Sequence, residues 1–123
     1  MARNPEVVTV DPDLGSRAET KRAVQLAHFS VVGEGGYGVE AVTVAKERSS
    51  DVFLVAVEEP VALALQTIES LADAAPGVPT IVYSSLADAQ SVRRAMVAGA
   101  RDYLVKPVKP EDLSPLRFDE ADE

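Results

Sequence analysis

Side chains capable of chemistry fall, in this chain, where short apolar runs stop. Asp11 and Asp13 follow Glu6-Val7-Val8-Thr9-Val10, and Glu58 and Glu59 follow the unbroken run Val52–Val57. Ser84 and Ser85 follow Pro79-Thr80-Ile81-Val82-Tyr83, and Lys106 follows Asp102-Tyr103-Leu104-Val105. Carboxylates can hold a hard cation, and a hydroxyl and an ammonium can bind anionic oxygens. A further run, Gly33-Glu34-Gly35-Gly36-Tyr37-Gly38, has the spacing G-x-G-x-x-G. Ala56, near the end of the central run, carries no chemistry at all.

The elements that must position these residues can be read from the same runs. Val52–Val57 is short, rich in β-branched residues and stopped by Glu58-Glu59-Pro60. A run without alternation predicts a central strand buried on both faces of a parallel sheet. In open α/β sheets chemistry sits just beyond the carboxyl ends of the strands. The first strand is expected over Glu6–Val10, followed by a helix N-capped by Ser16, with Glu19 three residues on, and running to about His28. Ala23, Leu26 and Ala27 would form its apolar side. Phe29–Val32 predicts a second strand, Gly33–Gly38 a turn, and Val39–Arg48 a helix.

A helix from about Val61 would bury Val61, Leu65, Ile68 and Ala72, and end at Pro76-Gly77. After the fourth strand, Pro79–Tyr83, a helix from about Ala87 would carry Val92, Ala95, Met96 and Gly99 on one stripe. Asp102–Val105 is the fifth strand. Alternating strands and helices with short loops imply right-handed βαβ crossovers and a parallel sheet. Ser114-Pro115 interrupts what should be a fifth helix, predicted to be missing or one turn long, with Leu113, Leu116 and Phe118 lying over the sheet. The expected division is a domain over residues 1–113 and an acidic tail or linker over 114–123.

Composition narrows the function. The 123 residues fit one compact domain, and 46% apolar with 26% charged residues is ordinary for a globular protein. Cysteine is absent, which excludes disulfides and thiolate chemistry, and the single histidine, His28, excludes a histidine metal cluster. His28 is expected to cap the first helix or meet solvent. A net charge of -8, with acids concentrated after Glu111, argues against nucleic-acid binding. No run approaches membrane-spanning length, so the expectation is a cytoplasmic protein without membrane contact.

The punctuating residues together resemble the receiver domain of bacterial response regulators. Val10-Asp11 sits where that family has its acidic pair, Gly38-Val39-Glu40-Ala41 at the turn into the second helix, and Asp51–Pro60 at the strand bearing the phosphoacceptor. Ser84-Ser85 fits the hydroxyl position, and Ala98–Pro107 fits the end of the fourth helix, the switch aromatic Tyr103 and the Lys-Pro. The resemblance implies a flavodoxin-like (CheY-like) three-layer α/β sandwich with a five-stranded parallel sheet in the order 2-1-3-4-5. It also implies interaction with a protein partner or a second copy around the fourth helix and fifth strand, where Arg93, Arg94 and Arg101 form the only basic cluster. Surface solvation is the plainer account of those arginines, and a docking face the alternative.

The catalytic centre departs from the family's pattern. Phosphoryl transfer to aspartate needs a carboxylate nucleophile and a divalent cation held mainly by carboxylates. The acceptor position, four residues before Pro60, is Ala56, and Pro12 replaces the second acid after Asp11. With Asp11 as the one certain carboxylate, Mg²⁺ binding is not expected, and Lys106 is expected to pair with Asp11 or solvent. This is the pattern of an atypical, phosphorylation-independent receiver, with no cofactor and no catalysis, acting by docking or dimerisation. The alternative is a working phosphorelay receiver with a substitute acid, Asp13 turned inward or Glu58 on the strand face of Ala56. Gly38–Val42 with Val57–Pro60 is also similar to the N-terminal domain of tight-adherence (Flp) pilus-assembly ATPases of the CpaE/TadZ type.

Two signals compete. The glycine run follows a strand and opens a helix, with Glu58 at a nominal distance for a ribose-binding acid, but the chain is too short for a complete dinucleotide fold. It is expected to be a flexible turn, with no nucleotide bound. Tyr103 is expected to be a static edge-strand residue, since nothing at Ala56 would drive it to rotate.

Overall fold

The computed structural model describes residues 4–113. Five parallel strands, β1 (Glu6–Val10), β2 (Ser30–Gly35), β3 (Val52–Ala56), β4 (Thr80–Ser84) and β5 (Ala100–Val105), lie in the order β2-β1-β3-β4-β5. The helices between them are α1 (Leu14–Leu26), α2 (Val39–Glu47), α3 (Val61–Ala74) and α4 (Ala89–Ala98), and a single turn, α5 (Pro110–Leu113), follows β5. This is the CheY-like sandwich implied by the resemblance, with the fifth helix short.

Every residue of β3 is buried, as its unalternating apolar run requires. Its side chains still point alternately to the two faces. Phe53, Val55 and Val57 pack with Ala41, Ala45, Ala64, Ile68, Leu71, Ala95 and Ala98 from α2, α3 and α4. Val52, Leu54 and Ala56 pack on the opposite face with Ala23, Val24, Tyr83, Val108 and Leu113. Leu113 lies over the sheet as expected; Leu116, Phe118 and the acidic tail lie outside the described residues.

Several local expectations are corrected. Asp13, not Ser16, caps α1, because its carboxylate accepts from the Ser16 backbone N–H at 3.0 Å. The buried face of α1 is Thr20, Ala23 and Val24, and Leu26 is exposed, since the 3.6-residue period carries it past the sheet. In α3 the buried residues are Ala64, Thr67, Ile68 and Leu71, so only Ile68 of the predicted stripe is fully buried and Ala72 is exposed. In α4 only Ala95 of the predicted stripe is buried, with Ala98; Met96 and Gly99 are exposed. On α4 both buried residues are alanines, whereas α3 buries Ile68 and Leu71 beside Ala64.

The glycine run is not a loop from end to end. Gly33 and Gly35 belong to β2, where Gly33 pairs with Val8 and Gly35 with Val10. A Cβ at Gly33 would meet Val44 Cγ1 of α2 at 2.6 Å, so the residue is demanded by helix–sheet packing. Gly33→Ala is therefore expected to destabilise the domain by about 1–3 kcal/mol through overpacking. Adding Val44→Ala should recover part of that loss in urea unfolding; equal loss in single and double variants would contradict the contact.

Candidate functional site

Parallel pairing brings the carboxyl ends of β1, β3, β4 and β5 to one rim of the sheet. Asp11, just past β1, is fully buried. A charge there requires donors. Its Oδ2 accepts from the Ser16 and Tyr83 hydroxyls, each at 2.7 Å, and Oδ1 accepts from the Asp13 backbone N–H at 3.0 Å. The Arg17 guanidinium donates to the Asp11 carbonyl through Nε at 3.0 Å and Nη2 at 2.8 Å. Burial and the Asp11 charge push the Tyr83 phenol far above its ordinary range, so it remains a donor.

Tyr83 also decides what happens at Ala56. The two residues are direct cross-strand partners and share the same face of the core. Asp11 lies at the end of β1, on the far side of β3 from β4. To reach it, the phenol passes over the Ala56 methyl. The ring lies on the Ala56 side of the sheet, and Lys106 Nζ stands 5.5 Å from its centroid.

Lys106 does not pair with Asp11, contrary to expectation. Its ammonium meets Glu58 Oε2 at 3.0 Å, with the Asp11 carboxylate already supplied by hydroxyls. Glu58 also accepts from Ser85, whose backbone N–H donates to Oε2 and whose hydroxyl donates to Oε1, both at 2.8 Å. Partial burial alone would raise the Glu58 carboxyl, but the Ser85 hydrogen bonds and the Lys106 charge outweigh it and hold the group below its ordinary value of 4.5. Glu58 lies beyond the end of β3, which stops at Ala56, and half-buried in this cluster it does not continue the strand face. Asp13 does not turn inward either: it is exposed, and its hydrogen bond from the Ser16 backbone holds it below the usual carboxylate range.

The remaining polar groups close the rim. Ser84 is buried; its hydroxyl donates to the Val57 carbonyl at 2.6 Å and accepts from the Leu86 N–H at 3.0 Å. The Tyr37 hydroxyl donates to the Ala56 carbonyl at 2.5 Å and accepts from the Glu58 N–H at 3.1 Å, bracketing the Val57 residue, and burial pushes it up to about 12. Tyr103, half-buried, donates to the Leu86 carbonyl at 2.6 Å. Arg93 and Arg94 on α4 and Arg101 on β5 are exposed, as are Val97 on α4 and Val105 at the end of β5, at 81% and 50%. Pro12 is exposed and donates nothing.

Among the described residues no group of three His, Asp or Glu is arranged to hold a metal ion. Just before α2, a Cβ on Gly36 would lie 3.1 Å from Glu40 Oε1, so the Glu40 carboxylate stands against the glycine run. Sequence reasoning missed Tyr83 and Tyr37, and read Ser16 only as a helix cap. Tyr83 had a usable signal: a large polar aromatic opposite the smallest residue of the central strand.

Tyr83→Phe tests the buried network. Removing one donor from a buried carboxylate is expected to cost about 1–3 kcal/mol in urea unfolding. A variant as stable as the parent would show that Asp11 does not depend on the phenol.

The comparisons fit this geometry. Residues 7–116 match the model of the response regulator receiver domain. The chain is similar to the chemotaxis protein CheY of Thermotoga maritima, 31% identical over 104 residues that cover 85% of this chain and 87% of CheY. It is 34% identical over 85 residues to the uncharacterized transcriptional regulatory protein YhcZ of Bacillus subtilis, covering 69% of this chain but only 40% of that protein. Among solved structures, a response regulator from Thermotoga maritima superposes with a TM-score of 0.76 at 26% identity, over 89% of this chain and 91% of that one. The chain belongs to the response regulator receiver domains of two-component signalling.

Proposed function

We propose that this receiver is degenerate, works without phosphorylation and acts as a docking or dimerisation module. The observation that carries the reading is the Tyr83 ring lying across Ala56 to reach Asp11. Receiver domains are in general signalling modules rather than enzymes, and here the groups a transfer would need are committed elsewhere. Ala56 offers no oxygen, both Asp11 oxygens accept protein donors, Ser84 is bound to the backbone, and Lys106 is held by Glu58. This donor set does not fit a divalent cation, which requires several charged oxygens free to converge.

The rival reading, a substitute acceptor, is disfavoured at both candidates. Asp13 caps α1 in solvent, and the Glu58 carboxylate occupies the donors that would otherwise bind the incoming phosphoryl oxygens. Incubation with acetyl phosphate and Mg²⁺, followed by intact-mass measurement, is expected to give the unmodified mass. A stable adduct of one phosphoryl group on any acid at the rim would overturn the proposal.

The docking face we assign is α4 and β5, which carry exposed Arg93, Arg94 and Arg101 together with exposed Val97 and Val105 on a chain of net charge -8. A basic and apolar patch on an acidic domain suits an acidic protein partner. Arg93→Glu combined with Arg94→Glu should abolish partner capture or self-association, the latter read by sedimentation at several concentrations, while leaving the melting temperature unchanged. Unchanged association would move the interface elsewhere. The narrower reading places the domain in the cytoplasm, localising a pilus-assembly ATPase of the CpaE/TadZ type. Its support is the Gly38–Val42 and Val57–Pro60 stretches, and a nucleotide-binding domain encoded beyond Glu123 would establish it.

A further inference from the structure

The β4–α4 turn is tied residue by residue to three different parts of the rim. Ser84 is bonded to the Val57 carbonyl, Ser85 to the Glu58 carboxylate, and Leu86 to the Tyr103 hydroxyl. At the centre of this arrangement an ammonium, a hydroxyl and a backbone N–H converge within 3.0 Å on one carboxylate. Such a donor set binds an oxyanion of the phosphate or sulfate class as readily as a carboxylate. The cluster is only partly open to solvent: the Lys106 and Glu58 side chains are 20% and 25% exposed.

We propose that Lys106 and Ser85 form an oxyanion-binding site whose resident is the chain's own Glu58, and that this internal anion holds the surface around Tyr103 in place. The tether keeps the local carboxylate concentration high, so free phosphate does not compete. Glu58 anchors Ser85, and the next residue, Leu86, presents the carbonyl on which Tyr103 rests. The position of Tyr103 on β5 is therefore set from within. This deepens the reading of the domain as acceptor-less and rests on it: an external phosphoryl group has no role because a built-in carboxylate already fills its place.

The test uses the whole chain, with amide resonances of Ser85, Leu86 and Tyr103 as the readout and inorganic phosphate as the probe. In the parent protein, phosphate should leave all of these unmoved. In Glu58→Ala they should shift, and phosphate should return them toward the parent positions with saturable, millimolar affinity. Combining Glu58→Ala with Lys106→Ala should remove the response. If Glu58→Ala fails to fold, Glu58→Gln, which keeps the shape and removes the charge, should displace the same resonances. Unmoved Leu86 and Tyr103 amides in the variant would overturn the coupling, and a linear, non-saturating phosphate response would leave an adventitious ion only and overturn the site. Both outcomes are distinct from a mass adduct with acetyl phosphate, which would sink the acceptor-less reading itself.

Discussion

The hydrogen bond from Tyr83 to the buried Asp11 carboxylate is the constraint on which the rest of the rim depends. An ionised group with no exposure persists only if donors replace its water. Ser16 and Tyr83 do so from two directions, and Tyr83 can reach only because the strand it crosses presents a methyl group. The alanine at position 56 and the reach of the phenol are thus structurally coupled. A carboxylate at position 56 would be driven against the ring and toward a second negative charge.

The two carboxylates of the rim have divided their roles. Asp11 is internal and serves stability, satisfied by hydroxyls and one backbone N–H. Glu58 is partly exposed and organises the neighbouring turn together with the Lys106 ammonium. The sequence reading left Lys106, with no phosphate to meet, to Asp11 or solvent, but strand-end position does not reveal which donors a buried acid already has. The donors at Asp11 are the Ser16 and Tyr83 hydroxyls, and neither a serine read as an N-cap nor a strand tyrosine reveals in a sequence which carboxylate it will meet.

What was legible followed from periodicity and punctuation. The unalternating Val52–Val57 run required a central strand, and the position of Ala56 near its end was readable by register against Pro60. Helix faces were read less well. In α3 and α4 the predicted stripes shared only Ile68 and Ala95 with the buried faces, which also take in Ala64, Thr67, Leu71 and Ala98. The glycine run failed for a related reason: Gly33 looks like turn chemistry but is a strand residue cleared of its side chain for Val44. Spacing motifs specify which residues occur, and packing decides which of them are free to turn.

The aromatic inventory has an optical consequence. The chain has no tryptophan and three tyrosines, Tyr37, Tyr83 and Tyr103, and each has its hydroxyl bonded at this rim. Near-ultraviolet absorption and emission from the native protein therefore originate almost wholly from one end of the sheet. Light reports chiefly on that end, and the domain carries its own local spectroscopic probe without a label.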